Sequence, residues 1–533
     1  MPDRPNILYI MSDDHGSAAI SSYASVINKT PHIDRLAAQG VRLNNTMCTN
    51  AIFTPSRATI LSGQYSHVND VKTLADELDS SRPLQVQKIL NSAGYKTAMI
   101  GKWHIGNNES SNPQRFDYWN ILPGQGDYHD PTMIEMGEEK VIPGYVTDII
   151  TDLAVDWLDG IDGDEPFYLC VHHKAPHAPW DPAPRHLNLG AEGEFAEPDN
   201  LLDDYSNRAT AAKIDGIRLE WLPDRYVKGT PSTAATADEM RRWAYQRYIT
   251  DYTRTVQSLD DSIGTLLDYL DKHGLAESTL IIYTSDQRMF LGQHGYNDKR
   301  LMYEDSLKMP FVARLPGEIP AGTVSDDIYL NVDFAPTLLD YPGIETPSEM
   351  QGSSGRGLLR VETPEDWQTS MYYRYWMHMP PHHKIVAHYG VRNHRYKLIY
   401  YYGEALGSSG TLDIGVPPEW DLYDLELDPT EHESVYSDPA YADVVASLSA
   451  EIKRTGVTVA HDGRHKLIYF GDELTKMGAR GASFAREWEL FDLEADPQEM
   501  NNVFSDPAYA DVVVEMTAEL DRLQAAVGDV GRH

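Results

Sequence analysis

Asn6-Ile7-Leu8-Tyr9-Ile10-Met11-Ser12-Asp13-Asp14 is an apolar run closed by a serine and two carboxylates. Consecutive apolar residues without alternation fit a strand buried on both faces, as the inner strands of a parallel sheet are. Working outward, Thr97 to Ile100, Phe167 to Val171 and Leu280 to Tyr283 are further short apolar runs. Between them, His32 to Gln39 and Leu84 to Ala93 carry helical spacing and end at Gly40 and Gly94, glycine being the residue that most easily closes a helix. From Met240 to Leu270 the residues Tyr252, Val256, Leu259, Ile263, Leu266 and Leu270 recur every three or four positions, which places them on the core-packing face of one long helix. Strands alternating with helices predict an α/β fold with a mostly parallel central sheet between helices. Asn188 to Thr236, rich in Asp, Glu, Pro and Gly, reads as an irregular excursion over the surface, of the kind that shapes a cleft.

The chain has 533 residues, with 81 acidic against 45 Lys plus Arg and a net charge of −36. That charge excludes a general nucleic-acid binder, which needs a basic face, and disfavours polyanions except at a locally basic pocket. The length exceeds what one core usually serves, so two domains are expected, 1–360 and 361–533. No window is apolar enough for a membrane span, and the segment from Met1 to Asn6 lacks the apolar core of a signal peptide, so the expected location is cytoplasmic. Cys48 and Cys170 are the only cysteines, too few for a disulfide framework or a thiolate metal cluster.

The second region, a smaller α+β domain on an antiparallel sheet, repeats itself. Trp420-Asp421-Leu422-Tyr423-Asp424-Leu425 is echoed by Trp488-Glu489-Leu490-Phe491-Asp492-Leu493, and SDPAYADVV occurs at both 437–445 and 505–513. A hairpin-plus-helix unit, about 390–455 and 460–525, has been duplicated. Two copies are too few for a solenoid, so the second pads the first or mediates contact with another subunit.

Three clusters fall where a parallel sheet places its ligands, beyond the C-terminal ends of strands. Asp13-Asp14 follows the first strand, and Ser285-Asp286-Gln287 follows the Leu280 strand. Together they supply oxygen donors suited to calcium or magnesium rather than zinc. The third cluster is Gly101-Lys102-Trp103-His104 with Pro55-Ser56-Arg57 at a helix start, where free amides and two cations suit a tetrahedral oxyanion. His177 and Lys299 would add donors or a proton relay. The 20 histidines are otherwise scattered, and the pairs His172-His173 and His382-His383 lack the helical i, i+4 spacing of a zinc motif.

Gly94-Tyr95-Lys96-Thr97-Ala98-Met99-Ile100-Gly101-Lys102-Trp103-His104 fits the pattern G-Y-x-T-x-x-x-G-K-x-H at every fixed position, and Thr54-Pro55-Ser56-Arg57 to Leu61-Ser62-Gly63 follows the tail of C-x-P-S-R with a short helix and L-T-G. On these residues the chain resembles the type I sulfatase family, within the alkaline phosphatase superfamily, over nearly its whole length. The resemblance implies an alkaline phosphatase-like fold. It also implies one divalent metal, calcium in most relatives with magnesium or manganese as alternatives, on Asp13, Asp14, Asp286 and Gln287. For the sulfate pocket it implies Arg57, Lys102, His104, His177 and Lys299. The segment Met371 to His378, with Arg374, Trp376 and His378, is similar to members acting on sulfated sugars and would line the substrate end.

Two positions depart from the family pattern. Its nucleophile is a formylglycine made from Cys or Ser, and Phe53 stands at that position. Arg288 stands where a glycine usually follows the metal-binding pair, and would alter packing or add an anion contact. In the family's mechanism the aldehyde hydrate attacks sulfur, the metal, Arg57 and Lys102 steady the charge, His177 or Lys299 protonates the alkoxide, and His104 helps collapse the hemiacetal sulfate. Phenylalanine cannot make that attack, and Thr54, whose hydroxyl is the nearest alternative, sits at a variable position. Three readings of Phe53 stand side by side: a Cys altered in this sequence, a site turned to metal-bound water or substrate assistance, and a cleft that binds an anionic glycan without turnover.

The expected function is a metal-assisted sulfuric ester hydrolase acting on a sulfated sugar, small or oligomeric, or another small organic sulfate. A phosphodiester or phosphonate monoester hydrolase and a glycan-binding protein are the alternatives. The expected partners are the sulfate ester and a second copy of the chain through the C-terminal domain, with no nucleic acid and no membrane.

Overall fold

The run at Asn6–Ser12 forms β1, with every residue from Ile7 onward buried. The computed structural model describes residues 4–106, 108–162, 165–190, 194–229, 235–456, 459–461, 465–470, 487–492 and 507–512. Around β1 the strands β2 (Val41–Met47), β3 (Lys96–Lys102), β4 (Tyr118–Leu122), β5 (Thr132–Glu135), β6 (Glu138–Val141), β7 (Phe167–His172), β8 (Thr279–Ser285), β9 (Lys308–Arg314) and β10 (Thr323–Leu330) join one sheet. It is ten-stranded, in the order β10-β2-β9-β8-β1-β7-β3-β4-β5-β6. The strands β8, β1, β7, β3 and β4 are mutually parallel, and β9 runs antiparallel between β8 and β2. The mostly parallel sheet expected from the sequence is therefore present, with antiparallel pairing at β9 and along the β5–β6 edge.

Successive residues of β1 serve opposite layers. Leu8 and Ile10 pack with Leu259, Ile263 and Leu266 of the helix Ala237–Lys272, while Ile7, Tyr9 and Met11 face a core that includes Ile60 and Leu61 of the helix Phe53–Ser62. The long helix opens on a capping box, Thr236 accepting from the Glu239 amide while the Glu239 carboxylate accepts from the Thr236 amide, which satisfies otherwise orphaned donors. Gly101, in β3, has φ +103° and lies so close to β7 that a Cβ would collide with the His172 carbonyl oxygen. No other residue meets both demands.

A separate antiparallel sheet of four strands comes next in the chain: β11 (Ser370–Tyr375), β12 (His388–Asn393), β13 (Tyr396–Tyr401) and β14 (Glu419–Asp424). The helix Ala442–Gly456 covers it, burying Leu448 and Ile452 against Val391, Leu398 and Leu422. The repeat is visible in the pairing. Tyr396 opposes Asp424 and Tyr400 opposes Trp420 in β13–β14, just as His465 opposes Asp492 and Tyr469 opposes Trp488 in the strands His465–Phe470 and Glu487–Asp492. The remainder of the second copy lies largely outside the described residues.

The stretch from Asn188 to Thr236 departs from its reading as a surface excursion. It is irregular, but Tyr205, Ala211, Ala212, Ile214 and Ile217 are buried in the main core. The amides of Ala209 and Ala211 donate to Asp421 and Glu419 of β14 at 2.9 and 2.8 Å. Weak periodicity hid this role, because the segment packs by isolated apolar residues rather than by a face. A buried ion network adds to the joint: Lys397 contacts Glu304 at 2.8 Å and Glu431 at 2.6 Å, and Arg392 contacts Glu304 at 2.9 Å. Among the described residues no helix is long and apolar enough to cross a membrane.

Candidate active site

The ends of β1, β3, β7 and β8 lie side by side, so the residues just beyond these strands converge at one place. After β1, Asp14 adopts φ +69°, and its backbone amide donates to Asp286 Oδ1 at 3.3 Å. Its carboxylate accepts from Lys299 Nζ at 2.6 Å and from Gln287 Nε2 at 2.5 Å. Asp13 is ion-paired with Lys102 at the end of β3, both fully buried. Asp286 accepts from Arg57 Nε at 2.8 Å, and Arg57 Nη1 donates to the Lys102 carbonyl at 2.6 Å. Arg57 sits in the first turns of the helix Phe53–Ser62, whose N-cap, Ile52, offers no side-chain cap. Asp13, Asp14, Asp286, Gln287, Arg57, Lys102 and Lys299 thus form one buried cluster.

Unpartnered polar atoms in that cluster have complementary chemistry. Asp13 Oδ1 and Gln287 Oε1 are buried acceptors without a donor, and Arg57 Nη2 is a buried donor without an acceptor. Buried polar atoms are nearly always satisfied, so the acceptors fit a hard cation and the donor an anion. Asp13, Asp14 and His177 also hold ligand atoms within 4.8 Å of one another. The residues present therefore fit one divalent ion bound by oxygen.

Burial acts on the charges here, and the neighbours decide the outcome. The Asp13 carboxyl is raised by burial but held well below the usual range by the Lys102, Arg57 and Lys299 charges. Asp286 is pushed up to about 7 by burial and by the Asp13 charge. Burial drives both His104 and His177 well down, with Lys102 adding to it. His177 Nδ1 lies 2.9 Å from the Ala178 carbonyl oxygen, which only a protonated Nδ1 satisfies, leaving the Nε2 lone pair of the neutral ring 3.7 Å from Asp14.

Phe53 stands in the middle of these groups. Its ring is stacked on His104 at 4.5 Å between centroids and set edge-on to His177 at 5.8 Å. Lys299 Nζ lies 4.7 Å and Lys102 Nζ 5.2 Å from the ring centre. An aromatic face, held by cation–π attraction, occupies the ground that the two ammoniums and two imidazoles share.

The other expected residues separate. Arg374 and Trp376 stack, the guanidinium carbon 3.5 Å from the indole centre. Arg288 is ion-paired with Asp305, as Arg57, Lys102 and Lys299 are with their own carboxylates. His378 is corrected as a substrate contact. It is fully buried, Nε2 lying 2.7 Å from the Ile414 carbonyl and Nδ1 accepting from the Ala387 amide at 3.3 Å, so it has no nitrogen left for a substrate.

Sequence reasoning missed Gln125, which accepts from Lys102 Nζ at 2.5 Å; nothing in its surroundings marks it. It also missed Lys174, pushed down to about 7 by burial and by Lys102 and donating to the carbonyls of Gln125 at 3.0 Å and Ala178 at 3.1 Å. Its position three residues before His177 was the available signal.

The chain belongs to the sulfatase family, which matches residues 5–344, and a C-terminal region described as that of N-sulphoglucosamine sulphohydrolase matches 292–458 and 464–526. An N-acetylglucosamine-6-O-sulfatase of Bacteroides thetaiotaomicron is 40% identical over 498 residues, covering 85% of this chain and 86% of that relative. A solved structure of a protein in complex with its substrate D-glucosamine-2-N,6-O-disulfate superposes with a TM-score of 0.78 at 39% identity, covering 85% of this chain and 97% of the other. The phosphonate monoester hydrolase of Agrobacterium radiobacter shares the fold, with a TM-score of 0.66 at 22% identity over 85% of this chain and 95% of that one. Family, fold and relatives are those of sulfatase-type hydrolases in the alkaline phosphatase superfamily, a metal-dependent class.

Proposed function

We propose that this sulfatase-family protein takes the 6-O-sulfate ester of a glucosamine-type sugar. Asp13, Asp14, Asp286 and Gln287 would hold one divalent ion, calcium by the all-oxygen donor set. Arg57, Lys102, His104, His177 and Lys299 would face the sulfate. The observation that carries the reading is the pairing of unpartnered buried acceptors, Asp13 Oδ1 and Gln287 Oε1, with the unpartnered buried donor Arg57 Nη2 at one sheet edge. The substrate class is supported by the glucosamine sulfates named for the relatives. A divalent ion bound there supplies Lewis-acid stabilisation of negative charge on the ester oxygens. Lys102 and Lys299 hold the anion by charge, and Arg57 adds a directed donor.

Phe53 has no heteroatom, so hydrolysis by this chain draws its nucleophile from water. The same ring favours a second reading, in which the cleft binds the sulfated sugar without turnover, because the ring fills the ground that the donors share. The test is to incubate the protein with N-acetylglucosamine 6-sulfate and a matched aryl phosphodiester, with calcium and with chelator, while measuring released sulfate and phosphate ester cleavage and, separately, binding heat. Sulfate release lost on chelation supports hydrolysis, and binding without release supports the second reading. Preferential phosphodiester cleavage, or no binding at all, overturns the sulfated-sugar assignment. The duplicated C-terminal unit would serve self-association, which light scattering of the full chain checks.

A further inference from the structure

We propose that Arg374, Lys72 and His67 form a second anion subsite, apart from the Lys102–Lys299 pocket, that reads a second acidic substituent, sulfate or carboxylate, on the sugar. The proposal rests on the sulfated-sugar reading above and adds to it which second group the cleft recognises.

Its first support is the company Arg374 keeps. In a chain with 81 acidic residues, the buried arginines Arg57, Arg208, Arg241 and Arg392 each hold a carboxylate. Arg374 has no carboxylate within ion-pair distance among the described residues. Instead its guanidinium is held among aromatic rings: Trp376 at 3.5 Å, Tyr402 at 5.2 Å and Tyr389 at 5.6 Å. Its Nε is buried and unpartnered. Aromatic faces orient a guanidinium without neutralising it, so the fork keeps the charge and geometry that match a planar carboxylate or a sulfate edge.

The second support is convergence. Lys72 Nζ lies 5.2 Å from the centre of the same Trp376 ring, so two cations share one indole. His67, stacked on Tyr65 at 5.8 Å, is pushed down to about 4 by burial and then by the Arg374 and Lys72 charges.

The third is position. The Arg374 amide donates to the Thr49 carbonyl at 3.1 Å, and Asn50 Nδ2 donates to the Lys72 carbonyl at 3.1 Å. Thr49 stands four residues before Phe53, so their Cα atoms are at most about 14 Å apart along the chain. His67 and Lys72 lie outside every motif that the sequence displays, and only the packing of β11 against the Thr49 loop brings them to Arg374.

The test compares glucosamine 6-O-sulfate with glucosamine 2-N,6-O-disulfate by calorimetry on the full chain, on Arg374→Gln and on Lys72→Met. The wild type is expected to bind the disulfate at least about tenfold more tightly at low salt, as one charge-assisted contact would give, with the preference shrinking as salt rises. Arg374→Gln should bring the affinity ratio within about twofold of unity and Lys72→Met should lower it partway, so either variant reads the subsite if the other fails to fold. Equal affinities in the wild type, or a ratio that both variants keep, overturns the subsite while leaving the 6-sulfate reading standing. Failure to bind either sugar overturns both.

Discussion

Phe53→Ala removes a ring that is 6% exposed and touches two imidazoles and two ammoniums. In an apolar core such a truncation costs about 3–5 kcal/mol. Here the walls are polar, so the opened space can take water or an anion, and each ammonium keeps its carboxylate. The expected loss is therefore smaller, about 1–3 kcal/mol, part of it the two cation–π contacts at about 0.5–2 kcal/mol each. What the variant should gain is a response to sulfate: at a concentration one hundred times the dissociation constant, a specific anion returns about 2.7 kcal/mol. The assay is thermal unfolding of wild type and variant in sodium sulfate and in sodium chloride at matched ionic strength. The wild type is the reference because sulfate stabilises folded proteins by exclusion as well. A sulfate-minus-chloride shift about 2–3 °C larger in the variant is expected for a chain of this length. Equal shifts, or a loss near 5 kcal/mol with no recovery in sulfate, would show the ring to be ordinary core and refute the claim that it fills an anion pocket.

Phe53→Cys, produced in a host able to convert that cysteine to formylglycine, is expected to release sulfate from N-acetylglucosamine 6-sulfate where Phe53→Ala does not; silence from a variant shown by mass to be converted counts against the pocket. Asp13→Asn leaves the buried Lys102 ammonium without its carboxylate and should cost about 3–5 kcal/mol, while abolishing the rise in melting temperature that calcium is expected to give the wild type. An undiminished calcium response would move the ion elsewhere. The Asp421 carboxyl is pushed up to about 6 by burial, above its unfolded value of about 3.9. The folded state thus holds that proton more tightly, so its contribution is present below about pH 4 and lost as pH rises through about 6. Asp421→Asn should be stabilising above pH 6, by up to about 3 kcal/mol at roughly 1.4 kcal/mol per pKa unit, and near neutral at pH 4; urea midpoints at the two pH values decide it. Gly101→Ala places a Cβ against the His172 carbonyl at φ +103° and should separate β3 from β7, costing more than about 3 kcal/mol. A soluble variant with wild-type melting would contradict the observed register.

The inner sheet was legible because β1, β3, β7 and β8 are buried on both faces, and such strands leave unbroken apolar runs in the chain. The flank beyond β8 was not, since β2, Val41–Met47, mixes Arg42, Asn44 and Asn45 among apolar residues and owes its pairing to β9 and β10, distant in sequence. The oxygen cluster and Lys102 were legible for a local reason: the carboxylates follow strand ends and Lys102 closes β3, where the sheet presents ligands. Arg288 and His378 carried no local sign of their partners. Asp305 and the Ile414 carbonyl reach them only through folding, and a side chain of either type reads the same in sequence whether neutralised or free.

What the sequence determined by itself is the alternation of strand and helix, the oxygen donors and cations at the strand ends, and the repeat. These are properties of composition and spacing along the chain. What only the tertiary structure decided is which of those groups are already satisfied. Asp13 Oδ1, Gln287 Oε1 and Arg57 Nη2 remain unpartnered, the Phe53 ring lies between Lys102 and Lys299, and Arg374 meets Lys72 across one indole. Pairing, burial and field are set by contacts between residues far apart in the chain, and those contacts decide whether a charge is spent within the fold or left for a ligand.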